Sequence, residues 1–299
     1  MGQIYIIFRA EKHLHKKMGI ITLTTDMGLT DYYVAALKGS ILRGNPNVQI
    51  VDISHGVKPF DIINASYYVQ AASRDFPEGT VHIIGVDSEP VINMSSGALP
   101  AIMYWRKQYF IASDNGVFAL LLKEEKPEGF WHLDNVLSNP NAFRFPVKNI
   151  FVPAALHLVS GKPLEEIASP VEKWRIAHAF NAVIEENLIK GTIIHIDHYG
   201  NAITNIHQGL FERFGDDPFT IFFRRKDYYI DQISNAYNDV APGERLALLN
   251  DNGLLEIAIN KGATGGAGGA DSLFGLRIND IVRVEFTPRG SAKTIASLF

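Results

Sequence analysis

Two short apolar runs, each followed by a polar side chain, constrain the fold of the N-terminal half of this chain more than any other feature. The first covers residues 20–25 and is followed by Asp26, and the second covers residues 48–53 and leads to His55. The segment between them has apolar residues at helical spacing, which predicts a helix. Strands that alternate with helices indicate a parallel α/β sheet, and ligands bind at the carboxyl edge of such sheets. A carboxylate at that edge suits two adjacent sugar hydroxyls.

The alternating pattern extends to about residue 125, and a strand-rich pattern replaces it after about residue 175. In the first part, the periodicity predicts strands at 19–25, 48–53, 80–86, 100–105 and 108–113 and helices at 31–43, 61–74, 115–123 and 149–158. In the second part, short apolar runs between turn residues predict strands at 191–197, 202–206, 218–223, 227–231, 245–249, 254–259 and 281–286. Asp31 and Asp61 are the expected N-caps of the first two helices.

These patterns predict two domains of different class. We expect an α/β N-terminal domain with a mostly parallel sheet at 18–178 and a smaller all-β, barrel-like C-terminal domain at 188–299. Residues 1–17 precede the first strand and are interpreted as an N-terminal extension. Their apolar part is too short for a signal peptide, so we expect a cytoplasmic protein.

Composition excludes several classes of partner and site. The net charge of −4, with no basic stripe, argues against nucleic acid as a partner. The chain has no cysteine, which excludes disulfides, thiolate metal sites and a cysteine nucleophile. No apolar run reaches the roughly 18 residues of a membrane-spanning helix, so we expect no membrane partner.

An ordered set of short motifs then connects the chain to a known family. None is specific alone, but together they span nearly all of residues 18–287: Thr25-Asp26-Met27-Gly28 with Asp31, Asp52-Ile53-Ser54-His55, Phe76-Pro77-Glu78-Gly79-Thr80-Val81, Asp114-Asn115-Gly116, Ile196-Asp197-His198-Tyr199-Gly200-Asn201 with Thr204-Asn205-Ile206, and Gly253-Leu254-Leu255-Glu256-Ile257-Ala258 with Asn260. The set resembles the S-adenosyl-L-methionine hydroxide adenosyltransferase family, which is related to fluorinating and chlorinating enzymes. The resemblance implies a homotrimer whose adenosyl sites lie between the N-domain of one subunit and the C-domain of the next. S-adenosyl-L-methionine would be the substrate or ligand, with no separate cofactor.

The resemblance also implies roles for individual residues. Asp26 matches the carboxylate that binds the ribose hydroxyls, and its alternative role is an N-cap, for which Asp31 is better placed. Phe60 matches an aromatic wall beside the sugar and sulfonium, where a ring face attracts a cation; its alternative is an ordinary core residue. The remaining matches are Asp197 for the methionine ammonium and Tyr199, Asn201 and Tyr237 for the adenine.

The positions that prepare water as the nucleophile depart from the family pattern. Of its Asp, Arg and His set, only the Asp is present, as Asp87, while Met94 and Pro146 stand at the other two positions. Because a positioned base or cation typically contributes a factor of about 10²–10⁴, we expect hydrolysis to be slow and to depend on Asp87. Lys148 and Arg144 are nearby cations in sequence that could substitute.

A second departure concerns the substrate. Asp251 stands where the family has a serine against the methionine carboxylate. Two facing carboxylates repel, so either Asp251 turns to the ammonium or the ligand lacks that carboxylate, as adenosine does.

Three hypotheses therefore remain open. The first is slow hydrolysis of S-adenosyl-L-methionine to adenosine and L-methionine, and the second is a binding protein for this compound or adenosine with little turnover. The third is adenosyl transfer to another nucleophile, although a halide is disfavoured because the carboxylate of Asp87 repels an anion. His195 and His198 flank Asp197, but they point to opposite faces of a strand, so we expect no metal site.

Overall fold

The computed structural model describes residues 19–89, 98–134, 140–262 and 268–288. The chain forms two compact units that divide between His178 and Ala179. The N-terminal extension at 1–17 lies outside the described residues. Within the ranges just given, no helix is both long enough and apolar enough to cross a membrane.

The first unit is built on one sheet. Its strands are β1 (Ile20–Thr25), β2 (Gln49–Ser54), β3 (Val81–Gly85), β4 (Pro100–Trp105), β5 (Gln108–Ser113), β6 (Gly129–Leu133) and β7 (Ala168–Pro170). Their order across the sheet is β2-β1-β3-β5-β4-β6-β7. The pairs β1–β2, β1–β3 and β3–β5 are parallel, whereas β4–β5, β4–β6 and β6–β7 are antiparallel. Among the described strands, the sheet is therefore mixed with parallel strands, and its predicted mostly parallel character is not confirmed.

The turn between β4 and β5 explains part of this difference. Only Arg106 and Lys107 separate the two strands, and both have positive φ, at 51° and 58°. A two-residue turn joins antiparallel strands, because a parallel connection needs a dozen or more residues. The spacing of the two predicted strands already required a hairpin, and β6 and β7 were not predicted at all.

Helices cover both faces of this sheet. They are α1 (Tyr33–Gly44), α2 (Ile62–Ser73), α3 (Val117–Leu122) and α4 (Val152–Val159), the last preceded by a π-helical turn at Val147–Phe151. Asp61 caps α2 as predicted, since its Oδ1 accepts a hydrogen bond from Asn64 N at 2.9 Å. The cap predicted at Asp31 is wrong, because α1 begins at Tyr33 after Tyr32, whose side chain makes no capping bond.

The second unit is a nearly closed antiparallel barrel, in agreement with the predicted barrel-like C-terminal domain. Its strands are β8 (Val183–Glu185), β9 (Leu188–Ile196), β10 (Ala202–His207), β11 (Phe219–Phe223), β12 (Arg225–Ile230), β13 (Arg245–Leu249), β14 (Leu254–Ile259) and β15 (Ile281–Phe286). The order is β12-β11-β15-β9-β10-β14-β13, and β8 pairs with β9. Arg245 Nε donates to the Tyr229 carbonyl oxygen at 3.0 Å, which links the last strand to the first. Two short helices, α5 (Gln208–Phe211) and α6 (Ala270–Phe274), complete the unit.

Candidate active site

Asp26 follows β1 directly, and the structure holds its carboxylate with main-chain donors. Phe60 N–H donates to Asp26 Oδ2 at 2.9 Å, and Asp87 N–H donates to the same oxygen at 3.4 Å. Both donors have left-handed backbone conformations, with φ of 65° at Phe60 and 46° at Asp87. Such conformations cost energy in residues other than glycine and cluster at functional sites. The half-buried Asp26 carboxylate thus offsets two strained positions.

These contacts exclude one of the two interpretations of Asp26, that of a helix N-cap. The helix that follows begins at Tyr33, and the carboxylate of Asp26 bonds to residues of two other loops instead of capping it. Asp26 is therefore not an N-cap. Its Oδ2 accepts both main-chain donors, so its Oδ1 is the oxygen on which a ligand hydroxyl could bind.

Phe60 presents its ring at the surface of the first unit. The residue is 70% exposed, which excludes the alternative that it is an ordinary core side chain. Its left-handed backbone is what turns its N–H toward Asp26. An exposed aromatic ring beside a carboxylate can contact a cationic or aromatic ligand with its face.

Asp87 lies just beyond the end of β3 and its side chain is exposed. Asn115 fixes the main chain there, since its Nδ2 donates to the carbonyl oxygens of Val86 at 3.2 Å and Asp87 at 2.9 Å. Partial desolvation, followed by the charges of Asp26 and Glu89, raises the pKa of the Asp87 carboxyl. A carboxylate with a raised pKa is a better proton acceptor, which is the property that a general base needs.

The cation near Asp87 is one that the sequence did not identify. The charge of Arg175 partly opposes the rise in the Asp87 pKa. Arg175 is held by its main chain, whose N–H donates to both carboxylate oxygens of buried Asp114, at 2.9 and 3.1 Å. Arg175 follows β7 in an irregular segment, far from Asp87 in sequence, so no motif pointed to it.

The other positions that the sequence connects with activation of water are less suited to that role than Asp87. Pro146 is buried and immediately precedes the π-helical turn, and Val147 packs so closely on the end of β3 that a Cβ at Gly85 would lie 2.8 Å from it. Lys148 Nζ lies 5.4 Å from the centroid of the Phe145 ring. Met94 falls within residues 90–97, which lie outside the described residues. Pro146 supplies no charge or hydrogen-bond donor beside the strand that leads to Asp87.

In the second unit, Asp197 organises the loop that follows β9. Its Oδ1 accepts from Tyr199 N and Asn201 N, each at 2.9 Å, and its Oδ2 accepts from Asn201 Nδ2 at 3.0 Å. Gly200 completes the turn with φ of 80°. Asp197 and buried Asn201 are thus brought together, while the Tyr199 side chain is 61% exposed. A carboxylate offers about four acceptor positions, so Asp197 keeps about one for a ligand donor.

Glu256, on β14, connects this loop to Tyr237, and sequence reasoning did not assign it a role. The Tyr237 hydroxyl donates to Glu256 Oε1 at 2.6 Å, and Asn250 Nδ2 donates to Oε2 at 3.4 Å. Burial first, and then the Asp197 charge, raise the pKa of Glu256, against hydrogen bonds from Tyr237, Asn250 and Asn201 that lower it. Glu256 was overlooked because it sits within an entirely buried apolar strand; its charge in that strand was the available signal.

Asp251 lies at the tip of the β13–β14 hairpin and is exposed. Burial, the hydrogen bond to Glu256 and the charges of Glu256, Asp197 and Asp251 together raise the pKa of Tyr237. This part of the second unit is therefore anionic, which favours a ligand that carries positive charge. In the described ranges, no group of three or more His, Cys, Asp or Glu side chains is arranged to hold a metal ion.

Comparison with known proteins gives consistent matches along the chain. The family model described as SAM hydroxide adenosyltransferase N-terminal domain matches residues 21–168, and its C-terminal counterpart matches residues 191–283. A protein of Thermus thermophilus named (R)-S-adenosyl-L-methionine hydrolase is 29% identical over 248 residues, which cover 80% of this chain and 91% of that protein. A fluorinase of an Actinoplanes species is 27% identical over 224 residues, which cover 66% of this chain and 74% of the fluorinase.

A solved structure supports the same grouping. The crystal structure of an uncharacterized conserved protein from Thermotoga maritima superposes with a TM-score of 0.75 at 30% sequence identity. The superposition covers 89% of this chain and 99% of the Thermotoga protein.

Proposed function

The chain belongs to the S-adenosyl-L-methionine hydroxide adenosyltransferase family, and on that premise we propose that it hydrolyses S-adenosyl-L-methionine to adenosine and L-methionine. Water attacks C5′ of the ribose as the C5′–sulfur bond breaks. The sulfur keeps the bonding electron pair and becomes the thioether of methionine. The proton lost by the attacking water passes to a base on the protein.

Asp87 is the proposed base. The observation that carries this proposal is that the N–H groups of Asp87 and Phe60 both donate to one oxygen of Asp26, Oδ2, so that base, ring and ribose carboxylate form one hydrogen-bonded unit. Oδ1 of Asp26 would accept from the ribose hydroxyls, and the ring of Phe60 would lie against the sugar and the sulfonium. The raised pKa of the Asp87 carboxyl supports its role as proton acceptor.

The second unit would bind the rest of the substrate. Asp197 would accept from the methionine ammonium, and Tyr199, Asn201 and Tyr237 would contact the adenine. Asp251 would also face the ammonium, because a methionine carboxylate there would be repelled. The anionic character of this region supports the cationic S-adenosyl-L-methionine over neutral adenosine as the preferred ligand.

Turnover is proposed to be slow. Buried Pro146 offers neither a proton donor nor a charge, and Met94 replaces the arginine of the family pattern. The same observation favours the second candidate function, a protein that binds S-adenosyl-L-methionine or adenosine with little turnover. Adenosyl transfer to a different nucleophile is the third, and the negative charges of Asp26, Asp87 and Glu89 oppose a halide in that role.

We further propose a cytoplasmic homotrimer that needs no cofactor besides its substrate, with each site at a subunit interface. The division of the proposed ligand residues between the two units supports a shared site, and the family resemblance supports the trimer. Light scattering should give a mass near 100 kDa, three times the 33.2 kDa of one chain. A stable monomer that binds adenosine at full affinity would contradict this assembly.

Incubation in ¹⁸O-labelled water tests the reaction. The purified protein is mixed with S-adenosyl-L-methionine overnight, and adenosine is identified by mass spectrometry beside an incubation without protein. Hydrolysis places ¹⁸O in the 5′-hydroxyl and raises the adenosine mass by about 2 Da, because that oxygen comes from water. If calorimetry detects binding of S-adenosyl-L-methionine but no labelled adenosine forms above background, the result would favour the binding-protein hypothesis. A product with a different group at the 5′ carbon would favour transfer to another nucleophile.

A further inference from the structure

A series of polar side-chain contacts begins at buried Thr25, the residue before Asp26, and continues through buried His55 to half-exposed Asp52 and Lys38. Thr25 Oγ1 lies 2.7 Å from His55 Nδ1. His55 Nε2 lies 3.1 Å from Asp52 Oδ1, in ion-pair range although off the line of a well-aligned hydrogen bond. Asp52 Oδ2 in turn accepts from Lys38 Nζ at 2.5 Å.

The contacts with Asp52 and Thr25 fix which ring nitrogen of His55 carries the proton. Nε2 faces the Asp52 carboxylate and therefore carries the proton, which leaves Nδ1 to accept from the Thr25 hydroxyl. Burial alone would raise the pKa of Asp52, but the hydrogen bond and charge of Lys38, together with the adjacent His55 ring, bring it below its usual value. Asp52 is thus ionised and holds the imidazole in this orientation.

The same histidine holds the turn that carries Asp26. Thr25 Oγ1, while donating to His55, accepts from Met27 N at 3.4 Å, and the His55 carbonyl oxygen accepts from Gly28 N at 2.9 Å. Residues 25–28 are therefore fastened to His55 through a side chain and through the backbone. Asp26 is the residue of this turn whose side chain is turned to the Phe60 and Asp87 loops.

The Thr25 hydroxyl, the His55 imidazole and the Asp52 carboxylate follow one another as in a hydrolytic triad. These three side chains do not, however, supply a nucleophile. The Thr25 side chain is fully buried, and His55 is 5% exposed, so no substrate atom reaches either. The two ring nitrogens are also reversed relative to the serine-protease arrangement, in which Nε2 faces the hydroxyl. A buried relay of this kind can only orient what is attached to it.

We infer that His55 and Thr25 are positioning residues, which hold the Asp26 carboxylate in the geometry that binds a ribose diol. The inference rests on the proposed function, in which Asp26 contacts the ribose. Binding groups need to be held within roughly 0.5 Å of the productive geometry, and neighbouring hydrogen bonds supply that constraint. The loss of the Thr25–His55 bond should therefore weaken ribose binding through Asp26.

β1 provides a matched control for this test. Thr22 is also fully buried, and its Oγ1 lies 2.7 Å from Nδ1 of another buried histidine, His82. The two Thr–His bonds share a strand, a distance and a degree of burial, but only Thr25 adjoins Asp26. Thr22→Val and Thr25→Val should lower the melting temperature by similar amounts, whereas only Thr25→Val should affect ligand affinity.

Calorimetry with adenosine on the full chain gives the decisive comparison. Thr25→Val should raise the adenosine Kd about tenfold, the effect of roughly one hydrogen bond, while Thr22→Val should stay within about threefold. Thr25→Ser, which keeps the hydroxyl, should restore the wild-type Kd. Equal Kd values for Thr25→Val and Thr22→Val would overturn the inference.

Two further measurements keep the test conclusive. If Thr25→Val does not fold, Asp52→Ala replaces it: this side chain is 38% exposed, and its removal takes away the acceptor that faces His55 Nε2. Unchanged adenosine affinity in folded Asp52→Ala would then overturn the inference. If Asp26→Asn itself leaves adenosine affinity unchanged, the proposed function fails and the inference with it. If Asp26→Asn weakens binding while Thr25→Val matches Thr22→Val, only the role of His55 and Thr25 fails.

Discussion

The substitution Asp26→Asn is the most direct test of the proposed ribose site. The asparagine amide has nearly the size and shape of the carboxylate, and its oxygen can still accept from Phe60 N–H and Asp87 N–H, which now bond to Oδ2 at 2.9 and 3.4 Å. The amide nitrogen then occupies the place of Oδ1. A ribose hydroxyl that donated to a charged oxygen meets an N–H donor instead.

The expected loss follows from that exchange. A hydrogen bond to a charged group contributes about 1.5–3 kcal/mol, which corresponds to a rise in the adenosine Kd of about 10- to 140-fold. We count one bond, because the amide N–H can still donate to a hydroxyl oxygen. The variant should also melt a few degrees lower, since a neutral oxygen holds the two left-handed residues less strongly than a charged one.

Calorimetric titration with adenosine, paired with thermal melts, measures both effects. Asp280→Asn is the control, because Asp280 Oδ2 also accepts a main-chain N–H at 2.9 Å, from Arg277, but belongs to no proposed ligand contact. This control should lose stability without losing affinity. A folded Asp26→Asn protein whose adenosine Kd stays within threefold of wild type would refute the ribose assignment.

Four further substitutions probe charge and protonation. Asparagine tolerates the left-handed backbone at position 87, so Asp87→Asn should fold. It should reduce adenosine production at least 10²-fold and leave the adenosine Kd within threefold. Turnover equal to that of the wild type would exclude Asp87 as the base. Arg175→Gln should raise the Asp87 pKa further and move the acid limb of the pH–rate profile to higher pH, whereas Glu89→Gln should move it to lower pH; coincident profiles would contradict these electrostatics. His82, buried and neutral with a pKa lowered to about 4, takes up a proton near pH 6.5 only when unfolded, so stability should fall by about 3 kcal/mol as pH drops from 6.5 to 4. His82→Phe should flatten this dependence in urea unfolding, and an unchanged slope would show that His82 is not its source.

The periodicity of apolar residues was sufficient to predict most strand positions, but it was insufficient to predict how the strands of the first sheet pair. The predicted strands at 100–105 and 245–249 agree with β4 and β13 to the residue, because short apolar runs bounded by turn residues mark buried strands. The pattern could not reveal β7, which has three residues and one buried side chain. The expectation of a mostly parallel sheet rested on helix–strand alternation and did not use the two-residue separation of β4 and β5, which requires an antiparallel pair.

The candidate site shows a similar division between local and long-range information. Asp26 was accessible to sequence reasoning because a carboxylate directly after a strand has a predictable location. Its partners were not, since the N–H groups of Phe60 and Asp87 reach it only through two left-handed turns that no sequence rule requires. Glu256 and Arg175 were missed for the same reason, because their roles depend on contacts with distant segments.

Negative charge is a common property of the proposed ligand regions in the first and in the second unit. Desolvation first, and then the charges of Asp26 and Glu89, raise the Asp87 pKa in the first unit; burial first, and then the charge of Asp197, raise the Glu256 pKa in the second. Like charges held close together cost energy until a cation enters, so a sulfonium or ammonium ligand would gain from each group that the free protein leaves uncompensated. A bound sulfonium would also lower the Asp87 pKa and keep the base ionised. Such attraction is present before the reaction as well as during it, and it favours binding more than turnover. Under the proposed function, this charge pattern would support ligand binding even though Pro146 offers no group that could activate water.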